Sequence, residues 1–362
     1  MPQADADPEM VGHGLAEDDA VGLIDRVRER VRGLRAAERN PVRDRVEERL
    51  GHSDLPQRQA PIGVVSIPYI LYEMSTNPHQ VTLAAGRSSA TVDLEHGARL
   101  ASLVVEARER LIGPPAPADG SIRWGCFLMA PWPGRLADGR LHWGRAAHQL
   151  ERTHGRHAIH GLVHSRRWTV EAATARTLEA SIELKPAGWP FAGRVHQSLE
   201  LRPDAMTLTA EIEAEEPMPA ALGWHPWFDR CGEDPSITIA SDHVLDTRGM
   251  IPTGTELPVM GRTDLRHGPR LGRRRLDHAY TDVRSPAVVG WSDVELRIEF
   301  APPVSTVVVH SPAQAFCVEP QSAWPNALGQ APREAIRAGA VFLGAGDRLS
   351  ATARLSWSPV GA

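Results

Sequence analysis

Three segments of the 362-residue chain carry side chains whose types and spacing suit chemistry. In the first, the apolar run Ala315-Phe-Cys-Val ends in Glu319, followed by Pro320, Gln321 and, further on, Pro325. Glutamate is almost never buried without a partner, so Glu319 sits either exposed at a strand end or inside a site. A carboxyl held against apolar neighbours has a raised pKa, which suits a base working near neutrality. In the second segment, Ala221-Leu-Gly-Trp-His-Pro-Trp-Phe228, Pro226 forces His225 toward extended geometry and excludes a helix interior. Trp224, Trp227 and Phe228 flank this histidine, in a chain with ten tryptophans against six phenylalanines and three tyrosines. Flat rings beside an imidazole suit the apolar C–H face of a sugar, with the histidine free to meet a hydroxyl. The same pattern also suits a core histidine at a strand end. The third segment holds four histidines, His154, His157, His160 and His164. Imidazole clusters suit transition metals, and a metal-dependent sugar isomerase or hydrolase is the function this segment would support. Gly155 and Gly161 disfavour an aligning helix, a strand would send His157 and His160 to opposite faces, and no acidic residue lies inside the cluster. No metal or other cofactor is expected.

Composition removes other classes. Forty basic residues against 45 acidic ones, a net charge of −5, leave no basic stripe for nucleic acid. The single lysine, Lys185, makes lysine chemistry rest on one residue. No run approaches the roughly 20 apolar residues of a membrane-spanning helix. Cys126, Cys231 and Cys317 are odd in number, far apart and free of any C-x-x-C, which predicts free thiols in a reducing compartment. The acidic first twenty residues lack a secretory apolar core, so a cytoplasmic location is expected.

The elements that must position these groups fall into two regions. Residues 1–60 form a charged, partly helical or disordered N-terminal extension, with Ala20, Ile24, Val27, Val31 and Leu34 on one helical stripe and Pro41 opening a second short helix. A dimerisation helix and a loosely docked appendage are the two readings, the seam being too short for a coiled coil. Residues 61–362 switch to period two. Leu178, Ala180, Ile182 and Leu184 alternate with polar residues, as do Met206 to Ala214, Val294 to Phe300 and Leu349 to Trp357. One apolar and one polar face predict half-buried antiparallel strands. Turns are expected at Pro203-Asp204, Pro186-Ala-Gly188 and Ala345-Gly-Asp347. The fold class is therefore all-β, a large antiparallel β-sandwich with a short helical N-terminal extension.

Taken in order, the segments resemble the aldose 1-epimerase (galactose mutarotase) family. The resemblance runs over residues 61–358. It rests on Glu95-His-Gly-Ala-Arg-Leu, Pro133-Gly-Arg135, His160-Gly with Trp168, His225-Pro-Trp-Phe, Ile251-Pro-Thr-Gly, Leu276-Asp277-His-Ala-Tyr280, Val318-Glu319-Pro-Gln321 and Pro325-Asn-Ala. It implies a galactose mutarotase-like supersandwich with an open monosaccharide cleft on one sheet face, and cofactor-free interconversion of α and β anomers. On that analogy Glu319 is the catalytic base and His225 the catalytic acid. Arg135, His160 and Asp277 bind or polarise sugar oxygens, with Trp227 and Gln321 beside them as substrate-binding residues. Unperturbed reference values, about 4.3 for Glu and about 6.5 for His, leave a pH window in which base and acid coexist. The expected partner is an aldohexose, free or phosphorylated, bound by a monomer or homodimer that needs neither nucleic acid nor membrane. Family members acting on hexose 6-phosphates use extra basic side chains, for which Arg99, Arg166 and Arg167 are the candidates, solvated surface arginines being the plainer reading. A carbohydrate-binding or sugar-sensing module that leaves its ligand unchanged is the non-enzymatic alternative.

Overall fold

The computed structural model describes residues 79–144 and 146–361; the expected N-terminal extension, residues 1–60, lies outside them. The four alternating runs form the strands Thr177–Glu183, Ala205–Ala214, Val294–Phe300 and Arg348–Pro359. All four lie in one eight-stranded antiparallel sheet, where Ala205–Ala214 pairs with Arg348–Pro359, which in turn pairs with Val294–Phe300. Leu208, Ile212, Leu296, Ile298 and Leu355 point inward from it and are fully or almost fully buried. Pro203 and Asp204 turn the chain between two of its ten-residue strands, as their types predict.

A second sheet of eleven strands covers the first. Its centre runs in the order Arg99–Val105, Cys126–Met129, Gly223–Asp229, Ala315–Gln321, Thr306–His310, Asp277–Thr281. Leu100, Leu128, Trp224, Phe228, Phe316 and Val318 from this sheet meet the inner face of the other in one continuous apolar core. Gln197 crosses between the layers, donating its amide to the Ala98 carbonyl at 2.7 Å. Among the described residues the α-helix Pro332–Arg337 is the only one, and no helix is long and apolar enough to cross a membrane.

The central strands of this second sheet are buried on both faces, Ala315–Gln321 and Cys126–Met129 at every residue. Loops close over their outer face, so the polar side of the alternation meets a cleft instead of open solvent. That arrangement selects what the cleft can contain. Phe316, Val318 and Pro320 point one way along the strand, Cys317, Glu319 and Gln321 the other.

Candidate active site

Register assembles the site. Gly223 pairs with Gln321 and Trp227 with Cys317, which sets His225 directly opposite Glu319 on the neighbouring strand. On its other side His225 pairs with Phe127, and Glu319 with Val308. One row of side chains thus crosses the sheet, and the next row runs Trp227, Cys317, His310, Asp277. Between Gly223–Gln321 and Trp227–Cys317 the ladder is interrupted. Pro226 and Pro320 sit in that interval, and neither has an N–H to donate. Two prolines in adjacent central strands break an ordinary rule of sheets, and they do so at the pair that chemistry would use.

His225 is held between two rings. Phe127 stacks on one side at 4.8 Å and Trp227 on the other at 5.4 Å, with His160 edge-on at 4.8 Å. Clamped this way, its Nε2 lies 3.3 Å from Oε1 of Glu319. Gln321 donates its amide to the other carboxyl oxygen at 3.0 Å. His225, Glu319 and Gln321 are all buried at the floor of a cleft of ≈ 590 Å³. Burial pushes the Glu319 carboxyl well above the usual range, the Asp277 charge adds to this, and the Gln321 amide and Arg135 oppose it. Burial likewise pushes the His225 imidazole well below its usual value, helped by His310. Both shifts favour the uncharged forms, a protonated carboxyl beside a neutral imidazole. Both shifts run against the carboxylate–imidazolium ion pair expected from unperturbed values.

Arg135, His160, Trp227 and Asp277 line the same cleft. Arg135 lies on the short strand Arg135–Leu136, paired with Ile159 and Ala158. Gly134 precedes it at φ +66°, where a Cβ would come within 2.7 Å of Pro325. Asn326 holds the same loop by accepting the Ala137 N–H at 2.9 Å. Pro325 and Asn326 thus support the arginine. His160 adopts φ +59°, uncommon for a side-chain-bearing residue. Gly161 follows at φ +76°, its missing Cβ making room for the Ala130 carbonyl. Trp227 donates its indole N–H to the Ile122 carbonyl at 2.6 Å, leaving a ring face for the cleft. Trp224 and Phe228, grouped with it in the sequence as one aromatic wall, point into the core on the opposite face of the strand.

The four-histidine segment divides. His154 and His160 line the cleft, His164 lines a neighbouring cavity, and His157 accepts the Asp138 backbone N–H at 3.1 Å. Among the described residues, the set of three metal-type donors drawn together is His225, Cys317 and Glu319, within 4.8 Å of one another. Burial holds the Cys317 thiol protonated, with its pKa well above the usual range. The three cysteines are free, Cys126 and Cys317 buried and Cys231 partly so. Arg99, a candidate for an anionic substituent, is fully buried and donates to the carbonyls of His96, Ser121, Trp124 and His164 at 2.6–3.2 Å. It is a structural cross-brace, because four of its five N–H groups serve backbone carbonyls and none of the side chain is exposed. Arg166 and Arg167 are exposed.

His310 was missed in the sequence. It lines the cleft, sits opposite Asp277, and places Nδ1 3.6 Å from Asp277 Oδ2. The signal was available, since Thr306-Val-Val-Val-His310 is an apolar run closing in a titratable residue, just as Ala315 to Glu319 is.

An antiparallel two-sheet sandwich with a buried carboxyl–imidazole pair at the floor of an arginine- and histidine-lined cleft defines the class of this protein. The aldose 1-epimerase family model matches residues 79–356, well over half of the chain, and the chain belongs to that family. Among curated proteins it is similar to the uncharacterized protein YihR of Escherichia coli K12, 28% identical over 177 residues. That match spans 46% of this chain and 56% of YihR, about half the length of each. Among solved structures it is similar to the GalM/aldose epimerase homologue from C. elegans, with TM-score 0.68 and 17% identity over 78% of this chain and 99% of that one. A galactose mutarotase-like protein from Clostridium acetobutylicum gives TM-score 0.66 and 17% identity, over 78% and 95% respectively. At these identities the structural likeness speaks to the fold.

Proposed function

We propose that the chain is a cofactor-independent mutarotase that interconverts the α and β anomers of an aldohexose by acid–base ring opening and closure at Glu319 and His225. The observation that carries this is the 3.3 Å approach of Glu319 Oε1 to His225 Nε2 at the cleft floor. O1 and O5 of a pyranose are bonded to the same carbon, so a base for one and an acid for the other must be near neighbours. Two side chains directly opposed on adjacent strands satisfy that need.

In the ionised form of the pair, Glu319 accepts the O1 proton while the His225 imidazolium delivers one to O5. The C1–O5 bond breaks and C1=O1 forms. The pair is left with one proton on the carboxyl and a neutral imidazole, the uncharged form that burial favours. After rotation about C1–C2, O5 attacks the other face of C1, returns its proton to the imidazole, and O1 recovers one from the carboxyl. Atoms and charge balance, and the pair carries one proton before and after each step. General acid and general base each contribute about 10²–10⁴-fold in such systems. Arg135 supplies charge-assisted hydrogen bonds to sugar oxygens. His160, Asp277 and Gln321 orient hydroxyls, and Trp227 covers an apolar ring face.

The test is NMR exchange between the anomers of glucose, galactose and their 6-phosphates, with wild type and Glu319→Gln. Wild type accelerates exchange over buffer. Glu319→Gln loses about 10²–10⁴-fold in rate while sugar affinity changes little. Sugar binding without any acceleration would sink the enzymatic reading and leave a carbohydrate-binding module. A preference for 6-phosphates would assign Arg166 rather than Arg99 as an anion contact.

A further inference from the structure

Cys317 lies beside the catalytic pair without a part in its acid–base chemistry. A ring nitrogen of His225, the Cys317 sulfur and a carboxyl oxygen of Glu319 lie within 4.8 Å of one another, and all three residues are buried. Cys317 and Glu319 are alternate residues of the strand Ala315–Gln321, and His225 faces them from the strand Gly223–Asp229. This spacing is close to what one metal ion requires. In a tetrahedral site, bonds of about 2.0–2.2 Å to nitrogen and oxygen and about 2.3 Å to sulfur set neighbouring donors about 3.4–3.6 Å apart. The edge from His225 Nε2 to Glu319 Oε1 is already 3.3 Å. The sulfur has at most about 1 Å to close. Phe127 and Trp227 fix the imidazole plane, and the Gln321 amide holds Glu319 Oε2 and leaves Oε1 free. Metal ligands depend on outer support of this kind.

The donor set selects the ion. One sulfur, one nitrogen and one oxygen suit zinc, whereas calcium and magnesium take oxygen ligands. Coordination deprotonates the thiol outright, its proton leaving to solvent. Thiolate and carboxylate together then neutralise a divalent charge at a buried floor. The nearby Asp277 carboxylate favours a cation and the Arg135 guanidinium opposes one. His225 and Glu319 line the cleft, which gives the ion an entry path and leaves its fourth position to water. We propose that His225, Cys317 and Glu319 form an inhibitory zinc site at the cleft floor. Bound zinc occupies the carboxyl oxygen and the imidazole nitrogen that O1 and O5 of the sugar must reach, so occupancy and turnover exclude one another. The coordination stands on the donor geometry; its inhibitory effect rests on the mutarotase reading.

The experiment titrates metal-free wild type, Cys317→Ser and Cys317→Ala with cobalt(II) and with zinc, following absorption, calorimetry and anomer exchange by NMR. Wild type is expected to bind one equivalent of cobalt(II), with a thiolate-to-metal charge-transfer band and the visible bands of tetrahedral coordination, all displaced by zinc. Both variants should lose the charge-transfer band. Zinc should suppress wild-type exchange and a chelator restore it, while magnesium and calcium leave the rate unchanged. Relative to its own metal-free rate, each variant should need at least about 100-fold more zinc for half-inhibition. The site is overturned by the lack of saturable binding, by binding that both variants retain at wild-type strength, or by exchange that persists or rises in the zinc-saturated protein. If no sugar is anomerised but the cysteine-dependent band appears at one equivalent, the metal site stands and the mutarotase reading falls.

Discussion

His164 offers a stability prediction whose size follows from the structure. Its imidazole is buried against Phe127 at 5.3 Å ring to ring, and burial, with Arg99 assisting, lowers its pKa to about 4. In the unfolded chain the same group titrates near 6.5. As pH falls below about 6.5 the unfolded state takes up a proton that the folded state refuses, so stability is lost, at about 1.4 kcal/mol per pH unit. Between about pH 7 and pH 5 this group alone removes about 2 kcal/mol, rising to about 3 kcal/mol below pH 4. His160 and His225, also pushed well below their ordinary values by burial, act in the same direction. His164→Gln deletes one share and keeps the others. Urea denaturation at about pH 7 and about pH 5 should show wild type losing about 2 kcal/mol more than the variant over that interval. A wild-type-minus-variant difference that stays constant across the interval would refute a buried neutral imidazole at this position.

Two further outcomes follow from the same physics. With the Glu319 carboxyl raised and the His225 imidazole lowered, the pH profile of kcat/KM should depart from the one unperturbed groups would give. Its acid limb should fall below the ordinary imidazole value of about 6.5 and its alkaline limb above the ordinary carboxylate range; an acid limb at or above about 6.5 would contradict the burial of the pair. Arg99→Met removes a fully buried guanidinium that serves four carbonyls, and should lower the unfolding free energy by more than about 3 kcal/mol in denaturant titrations. Arg99→Lys should fail to restore it, since an ammonium cannot reproduce the planar fork.

How much was legible in advance varies by element. The eight-stranded sheet was readable because its strands keep one face wet, so Met206 to Ala214 and Leu349 to Trp357 announce themselves by alternation. The central strands of the other sheet were harder. Gly223–Asp229 and Ala315–Gln321 are buried on both faces, and their period-two signal is blurred by cleft residues that are themselves covered. The same blurring grouped Trp224 and Phe228 with Trp227, although the pleat sends them to opposite sides. Arg99 was read as a solvated surface arginine, with an anion contact as the alternative, and is neither, because a one-dimensional string does not say which arginine will be surrounded by carbonyls. His310 escaped notice because its worth depends on Asp277, 33 positions earlier in the chain, lying directly opposite.

The sequence by itself determined the residue types, the strand periodicity and the succession of motifs, since these are local properties of side-chain size, polarity and backbone preference. Only the tertiary structure decided that Glu319 and His225 face one another, because their meeting depends on strand register, and shifting either strand by one residue would turn its group into the core. Their pKa shifts were set at the same level, since both arise chiefly from burial at the cleft floor.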